Sequence, residues 1–353
     1  LRSLLPGGIA VFAVALRLLY LHGSLPPLPG RLVPIGPQAF DSRAYYDIGR
    51  VLAGLPIPEP IQDRSRVFSL WGPGYPAFLA AVFRVCGDAP GVVRHLQALL
   101  SGLMCLFLFR IGEHLGGRTV GVVAALVAAV HPTLILFTGR LNAETLGMFW
   151  LWLALAWLVR AAGAWSGAGA GTALGIACLT RPTLLAAIPF LSVAVLATER
   201  ESLRRRFVLA LAFVLGAATV LGAWHLVLTR LPRSETAPSP TIGLGGFTMM
   251  RSVARQASDP DVRGWPREGD EPAERLQWWG GAALGAVPTV EGLAGWLARI
   301  PRVLNLVFYH VWFLENVWHE PPSWAHAVQR TIFLLALGGL GIALTRGRRW
   351  AEV

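Results

Sequence analysis

Asp41 lies at the start of a short amphipathic segment in the first long polar stretch of the chain. The segment 40–54 reads FDSRAYYDIGRVLAG, and its residues Tyr45, Ile48 and Leu52 recur at helical spacing. This pattern predicts a short helix lying flat on a membrane surface. The helix is expected to start at the aspartate and to end at the final glycine.

Two roles are open for the Asp41 carboxylate. Aspartate is a preferred N-cap residue, so Asp41 satisfies backbone N–H groups in the simpler interpretation. In the alternative, the carboxylate takes a direct part in the chemistry of a site. If Asp41 only caps the helix, Asp47 on the same segment is the other carboxylate available for chemistry.

A second carboxylate, Glu144, follows the segment TGRLNAE that runs over residues 138–144. It falls near the start of an apolar run, where the helix dipole favours an anion. Ionisable groups at the edge of an apolar bundle are also costly and often functional. Both interpretations stay open for Glu144.

Arg181 interrupts a long apolar run at the tripeptide Thr180-Arg181-Pro182. Proline cannot continue the first half of the run as a helix, so a turn is predicted there. The arginine is either a snorkelling side chain or a ligand for phosphate, which its planar guanidinium suits well. A further motif, WGPGYP at residues 71–76, predicts a rigid turn that contains Tyr75.

The composition predicts a membrane protein. Of the 353 residues, 54% are hydrophobic and 14% are charged, and the mean hydropathy is +0.53. A soluble domain has about a quarter of its residues charged. The net charge of +11 comes from arginine alone. No basic run is interleaved with aromatic residues, which argues against a nucleic-acid partner.

Eight membrane spans are predicted from apolar runs of about 20 residues. The run 167–196 counts as two short helices because of its internal Thr-Arg-Pro turn. The predicted spans are 4–25, 92–115, 120–138, 143–159, the two halves of 167–196, 207–228 and 324–344. The segment 300–318 is ambiguous, and we interpret it as an interfacial or re-entrant helix because it carries several polar groups.

The distribution of arginine predicts the orientation of the spans. With a cytoplasmic N-terminus, the arginines at one set of span ends fall on the cytoplasmic side, as the positive-inside rule favours, whereas Arg181 lies on the outer side against this bias. The cytoplasmic arginines are Arg2, Arg118, Arg160, Arg200, Arg204, Arg205, Arg206, Arg346, Arg348 and Arg349. Two long outer loops, 26–90 and 229–323, then lie on the other face. Both termini are expected in the cytoplasm, and residues 1–353 form one transmembrane domain.

Taken together, these segments resemble the GT-C glycosyltransferases. The closest likeness is to the branch of protein O-mannosyltransferases, lipid A aminoarabinose transferases and related bacterial enzymes. The marks occur in the family's order: Asp41 with Tyr45 and Tyr46, the turn 73–76, Pro132 followed by Glu144, and GIACLTRP at 175–182. The likeness is good over about the first 200 residues and poor beyond them.

The resemblance implies an all-α, polytopic GT-C bundle in a bacterial inner membrane. It implies a transferase that moves a sugar, usually with inversion, from a polyprenyl-phosphate carrier to a hydroxyl of a protein, lipid or glycan. Asp41 would be the catalytic base, and Glu144 would bind a divalent metal, orient an arginine or contact the sugar. Some relatives use a metal and others do not.

The substrate-binding residues expected from the resemblance and the segments around it are the arginines and aromatic residues of the outer face. They are Arg181, Arg140, Tyr45, Tyr46, Tyr75 and Asp47.

Three other functions remain open on the sequence alone. A catalytically degenerate relative would serve as a membrane subunit of a larger assembly. A transporter would carry polar groups near the membrane midplane and an inverted repeat, and neither is evident. Another lipid-dependent transferase would share the outer face and Arg181 but would not need the turn 73–76.

Overall fold

The computed structural model describes residues 4–23, 40–56, 72–161, 163–197 and 202–230. All of these belong to one compact unit made of Leu1–Pro27, Arg31–Met250 and Pro266–Gln277. The predicted span 324–344, the segment 300–318, the outer loop 229–323 and the terminal arginines lie outside the described residues.

The described part of the chain is helical throughout and contains no strand. Nine α-helices and one 3₁₀-helix follow one another along it. The α-helices are α1 (Leu5–Leu21), α2 (Phe40–Ala53), α3 (Gly74–Cys86), α4 (Pro90–Val130), α5 (Pro132–Thr138), α6 (Ala143–Leu158), α7 (Ala164–Thr180), α8 (Ala187–Ala197) and α9 (Leu203–Arg230), with the 3₁₀-helix Pro182–Ala186 between α7 and α8.

Helix α4 is a hairpin of two helices rather than one rod. A straight helix of 41 residues would be about 60 Å long, twice the hydrocarbon thickness. Gly116 and Gly117 leave the helical conformation, and Gly117 has a φ of +79°, which glycine adopts without strain. The two halves then run back along each other. Their close contact is seen at Gly112, where a Cβ would lie 2.9 Å from the Cα of Gly121. The separate predicted spans 92–115 and 120–138 agree with this turn.

The predicted span 120–138 is not one helix, since it breaks at His131. Pro132 begins α5 and has no N–H, so the carbonyl of Ala128 loses its intrahelical donor. The side chain of Arg17 on α1 replaces it. Its Nη2 donates to the Ala128 carbonyl at 3.1 Å, and its Nη1 donates to the Ala129 carbonyl at 2.9 Å.

Arg17 has no exposed surface, and its Nε donates to the Ser101 hydroxyl at 2.7 Å. A single buried guanidinium therefore joins α1 to both halves of α4 through hydrogen bonds. This satisfies polar groups that would otherwise be unpaired in an apolar interior.

Small residues let α7 and α9 pack side by side. Gly167, Gly171 and Gly175 recur every four residues on α7 and form one face of the helix. A Cβ on Gly171 would lie 1.9 Å from the carbonyl oxygen of Phe213 on α9, so only glycine permits this approach. Such small-residue interfaces are typical of helices that associate in membranes.

The predicted break at Thr180-Arg181-Pro182 is confirmed. Helix α7 ends at Thr180, Arg181 is extended with φ −133° and ψ 99°, and a 3₁₀ turn leads into α8. The residue before a proline disfavours the helical conformation, which explains the position of the break. Helix α8 has 11 residues, about 16 Å, and is therefore shorter than a full span, as expected for half of a broken run.

Helix α2 is the predicted helix of the first polar stretch, and it ends before Gly54, which has a φ of +81°. It packs on α3, an apolar helix that lies within the predicted outer loop 26–90. A Cβ on Gly49 would lie 2.7 Å from the Cβ of Leu79, so the two helices are in close contact. The turn predicted at 71–76 is the entry to α3.

The structure sorts the helix ends into two groups. The C-terminal ends of α1, α5 and α7 meet the N-terminal ends of α4 and α6, and we call this the site end. Arg118 lies at the turn inside α4, Arg160 follows the C-terminal end of α6, and Arg204 to Arg206 lie near the start of α9. By length and composition, Pro90–Val130 and Leu203–Val227 are candidate membrane spans among the described residues, and several shorter apolar helices accompany them.

Candidate active site

An ion pair between Glu144 and Arg181 lies at the site end. The Nη1 of Arg181 is 2.9 Å from the Oε1 of Glu144. The carboxylate side chain is 14% exposed and the arginine side chain is 35% exposed. Most of α6 and all of α7 separate these two residues in the sequence, and the fold brings together two of the groups for which a chemical role was predicted.

Glu144 sits in the first turn of α6, where the positive end of the helix dipole favours its charge. Asn142 occupies the N-cap position, but its side chain makes no capping hydrogen bond. Its Oδ1 instead accepts a hydrogen bond from the hydroxyl of Ser42 on α2, and both side chains are buried. The contact joins the first turn of α2 to the helix start that carries Glu144.

Arg181 reaches Glu144 because α7 ends one residue before it. The extended backbone at Arg181 directs the chain away from α7 while its N–H still donates to the Ala177 carbonyl at 2.7 Å. Gly147, one turn after Glu144, faces the arginine side chain. A Cβ on Gly147 would lie 3.3 Å from the Cγ of Arg181 and 3.4 Å from its Cδ. The glycine therefore makes room for the aliphatic part of the arginine.

Gly72, two residues before α3, and Gly74, the first residue of α3, pack directly on the end of α7 before Arg181. A Cβ on Gly72 would lie 2.2 Å from the Leu179 carbonyl oxygen, and one on Gly74 would lie 2.8 Å from the Thr180 nitrogen. Neither position tolerates a side chain without a backbone shift. The motif at 71–76 thus supports the Arg181 turn from behind.

Tyr75 is fully buried, and its hydroxyl donates to the Oε1 of Gln97 at 2.7 Å. The Nε2 of Gln97 in turn donates to the carbonyls of Thr138 at 3.0 Å and Arg140 at 2.8 Å. This chain of bonds fixes the loop between α5 and α6, just before Glu144. Tyr75 therefore helps to position the loop through Gln97.

Two further arginines accompany the ion pair. Burial lowers the pKa of Arg140, whereas Tyr20 and Glu144 act on this pKa in the opposite direction, so the carboxylate lies within electrostatic reach. Arg94, one turn before Gln97, lies within electrostatic reach of Tyr75, and its buried Nε has no hydrogen-bond partner among the described residues. Among the described residues, Arg181 and Arg140 are thus the two arginines that interact with the Glu144 carboxylate.

The aromatic residues predicted to bind substrate belong to the packing of α2 on α3. The rings of Tyr45 and Tyr75 meet edge to face, with their centroids 5.1 Å apart. The Tyr46 hydroxyl donates to the Asp88 carboxylate at 2.7 Å and accepts from the Nη1 of Arg50 at 3.0 Å. Burial, together with this hydrogen bond to Asp88, raises the pKa of Tyr46.

The two aspartates of α2 are placed differently. The backbone of Asp41 lies in the first turn of the helix, since α2 begins at Phe40. The side chain of Asp41 lies outside the described part of the structure. Asp47 is half-buried, about two turns further along the same helix.

The described residues hold no group of three or more histidine, cysteine, aspartate or glutamate side chains placed to share a metal ion. Glu144, the carboxylate for which a metal was considered, has an arginine as its ion-pair partner.

These features define a class: a helical membrane protein with a buried polar layer and a carboxylate–guanidinium pair at one end of its bundle. Residues 71–224, somewhat under half of the chain, match the family model described as dolichyl-phosphate-mannose-protein mannosyltransferase. The match agrees with the resemblance to GT-C glycosyltransferases for the motifs that lie within these residues, and the segment around Asp41 lies outside it. No curated protein matches the chain.

Sequence reasoning missed Arg94, Gln97, Asn142 and Gly147. Gln97 and Arg94 fall at the start of an apolar run, where the arginine reads as a membrane-flanking anchor. Asn142 and Gly147 gain their roles from residues far along the chain, so no local pattern marks them. The available signal was Gln97 itself, a polar side chain within a predicted span.

Proposed function

We propose that the chain transfers a sugar from a polyprenyl-phosphate carrier to a hydroxyl on a protein, lipid or glycan, at the extracytoplasmic face of a bacterial inner membrane. The observation that carries the proposal is the Glu144–Arg181 pair at the site end, within the stretch that matches the mannosyltransferase family model. The reaction requires a cation for the leaving phosphate, a base for the acceptor hydroxyl, and access from the lipid.

Arg181 is the proposed phosphate ligand. Negative charge gathers on the phosphate as the bond to the anomeric carbon breaks, and a preorganised guanidinium stabilises that charge. The side chain is partly exposed, so it reaches a ligand, while Glu144 and Gly147 restrict its position. Arg140 is the second proposed cation, since it already lies in the field of Glu144.

Glu144 is a positioning residue in this mechanism. Its carboxylate holds one edge of the Arg181 guanidinium, which leaves the remaining N–H donors for phosphate oxygens. The same carboxylate lies 2.9 Å from the guanidinium and so offsets part of the positive charge of Arg181.

Asp41 is the proposed base. It accepts the proton of the acceptor hydroxyl as that oxygen attacks the anomeric carbon, and inversion follows from attack opposite the phosphate. Support comes from its neighbour Ser42, whose hydroxyl bonds to Asn142, two residues before Glu144. This contact joins the helix turn that carries Asp41 to the start of α6.

The test is a transfer assay on the purified chain with a panel of polyprenyl-phosphate sugars. The variant Asp41→Asn removes the base, and Asp47→Asn makes the same change on the same helix. We expect the first to lower the transfer rate by about 10²–10⁴-fold, the range for general acid–base catalysis, and the second to leave most activity. Near-normal turnover by Asp41→Asn rules out Asp41 as the base. Carrier binding without turnover of any donor would indicate a non-catalytic subunit instead.

Arg181→Ala tests the phosphate role. It should weaken carrier binding more than acceptor binding, because only the carrier has a phosphate. Arg160→Ala removes an exposed arginine beyond the end of α6, at the opposite end of the bundle, and serves as the matched control. Equal losses for carrier and acceptor would contradict a phosphate role for Arg181.

A further inference from the structure

Two histidines from different helices meet at the site end, apart from the Glu144–Arg181 pair. His22 follows the last turn of α1, where its backbone N–H donates to the Leu18 carbonyl at 2.9 Å. His95 lies in the second turn of α4. Both side chains are exposed, and their Nε2 atoms are 3.3 Å apart. The ring centroids are 5.3 Å apart with an angle of 56° between the planes.

The tautomer of His95 is set by its other nitrogen. Its Nδ1 lies 2.7 Å from the carbonyl oxygen of Gly91, one turn earlier on α4. A carbonyl only accepts, so Nδ1 carries the hydrogen, and the Nε2 of the neutral ring carries a lone pair. A hydrogen bond from the outer ring nitrogen to a backbone carbonyl is also the usual support of a metal-binding histidine.

The separation of the two Nε2 atoms is that of two ligands on one tetrahedral ion. Zinc binds histidine nitrogen at about 2.0–2.1 Å, and two such bonds at the tetrahedral angle place the nitrogens about 3.3–3.4 Å apart. The observed separation of 3.3 Å matches this value. Because both rings are exposed, water can occupy the remaining coordination positions.

We propose that His22 and His95 form a two-histidine site for a divalent transition metal such as Zn²⁺. The ion takes no part in sugar transfer, and the inference does not rest on the proposed function. It bridges the end of α1 to the start of α4. Tyr20, two residues before His22, packs against Gly139, since a Cβ there would lie 2.9 Å from the tyrosine Cε1. Gln97, two residues after His95, holds the loop before Glu144.

A bound ion would therefore fix the spacing of two elements that both contact the loop 139–142. Removing the ion should therefore lower the thermal stability of the bundle. This site is distinct from the metal site considered at Glu144, where a metal ion would act on the reacting groups.

The test uses the full chain, purified in detergent through a tag that contains no histidine and stripped of metal with a chelator. Zinc is titrated at pH 8, because imidazole binds metal in its neutral form, and uptake is measured by calorimetry and by metal analysis after gel filtration. The variants are His22→Ala and His95→Gln, the second of which keeps a polar side chain of similar reach. His114→Ala, an exposed histidine of α4 next to the turn at Gly116, is the matched control.

The wild type and His114→Ala should bind one more zinc ion per chain than either variant of the pair. Zinc should also raise the unfolding temperature of those two proteins more than that of His22→Ala and His95→Gln. Other histidines of the chain are common to all four proteins, so the difference isolates the pair. Equal zinc uptake by all four, with each eluting as a folded species, would overturn the proposal and leave a simple hydrogen bond between the rings.

Discussion

A single methyl group at Gly147 should separate stability from activity. Gly147 lies in the interior of α6, and the side chain of Arg181 covers it. Alanine at this position keeps the helix and adds a carbon atom on the face that meets the arginine. The ion pair to Glu144 is not altered directly, so any effect on transfer must come through the position of Arg181.

The structure sets the size of the effect. The new Cβ would lie 3.3 Å from the Cγ and 3.4 Å from the Cδ of Arg181. Carbon atoms prefer a separation of about 3.5–4.0 Å, so the arginine must move by about 0.1–0.7 Å. A misplacement of about 1 Å costs roughly 10²-fold in rate, so we expect a loss of about 2- to 25-fold here. Replacing glycine by alanine in a helix interior stabilises it by about 1 kcal/mol, which offsets the crowding.

The assay compares initial transfer rates and unfolding temperatures in the same detergent. Gly222→Ala on α9 is the matched control, because it makes the same change in a helix where a Cβ would meet nothing within 4 Å. Gly147→Ala should lower the rate while its unfolding temperature stays equal to or above that of the wild type. Gly222→Ala should leave the transfer rate unchanged and should raise the unfolding temperature only by the amount expected from the higher helix propensity of alanine.

A double variant decides whether the methyl group acts through the arginine. In the Arg181→Ala background the crowded atoms are gone, so Gly147→Ala should have no further effect on carrier binding. Full activity in the single variant would refute the reasoning, as would an equal loss of carrier binding in both backgrounds. Either result would mean that the position of Arg181 does not limit transfer.

Three other substitutions test the support around the site. Gly72→Ala should sharply reduce the yield of folded protein, because its Cβ would lie 2.2 Å from the Leu179 carbonyl oxygen, and gel filtration after extraction measures this. Arg17→Met should destabilise the protein by about 2–6 kcal/mol, since it leaves two buried carbonyls unpaired at about 1–3 kcal/mol each, and thermal unfolding that matches the wild type would contradict it. Gln97→Leu should lower both the stability and the transfer rate, because it removes the bonds to the loop before Glu144. Tyr75→Phe loses one hydrogen bond and should cost about 1 kcal/mol of stability. A larger loss of stability for Tyr75→Phe than for Gln97→Leu would contradict this expectation.

The sequence predicted the elements that depend on local pattern. The helix of the first polar stretch was expected from its periodicity and its final glycine, and α2 with Gly54 at its end confirms it. The break at Arg181 followed from Pro182, whose effect on the preceding residue is local. That Glu144 orients an arginine was one of three roles left open for it, since the order of residues along the chain gives no distance between side chains.

The sequence failed where the structure depends on contacts between distant residues. Helix α3 was hidden because its 13 residues are too few for a span and follow a polar stretch. The break at His131 was missed although Pro132 marks it, since the apolar run continues on both sides. The carbonyl left without a donor at this break is bonded by Arg17, which lies more than a hundred residues earlier. A local sequence pattern cannot show such a contact.

The motif at 71–76 and the Thr180-Arg181-Pro182 turn pack against each other, which explains why both occur in one chain. The turn at Gly72 and Gly74 has no chemical group of its own, and its value lies in the absence of side chains. Backbone atoms of Leu179 and Thr180 fill the space that a Cβ would occupy, so the turn fixes the end of α7 from one side. Gly147 and Glu144 fix the Arg181 side chain from the other. A cation that must meet a developing phosphate charge without reorganising needs this restriction on both sides, so the glycines contribute to the site by determining where the arginine can be.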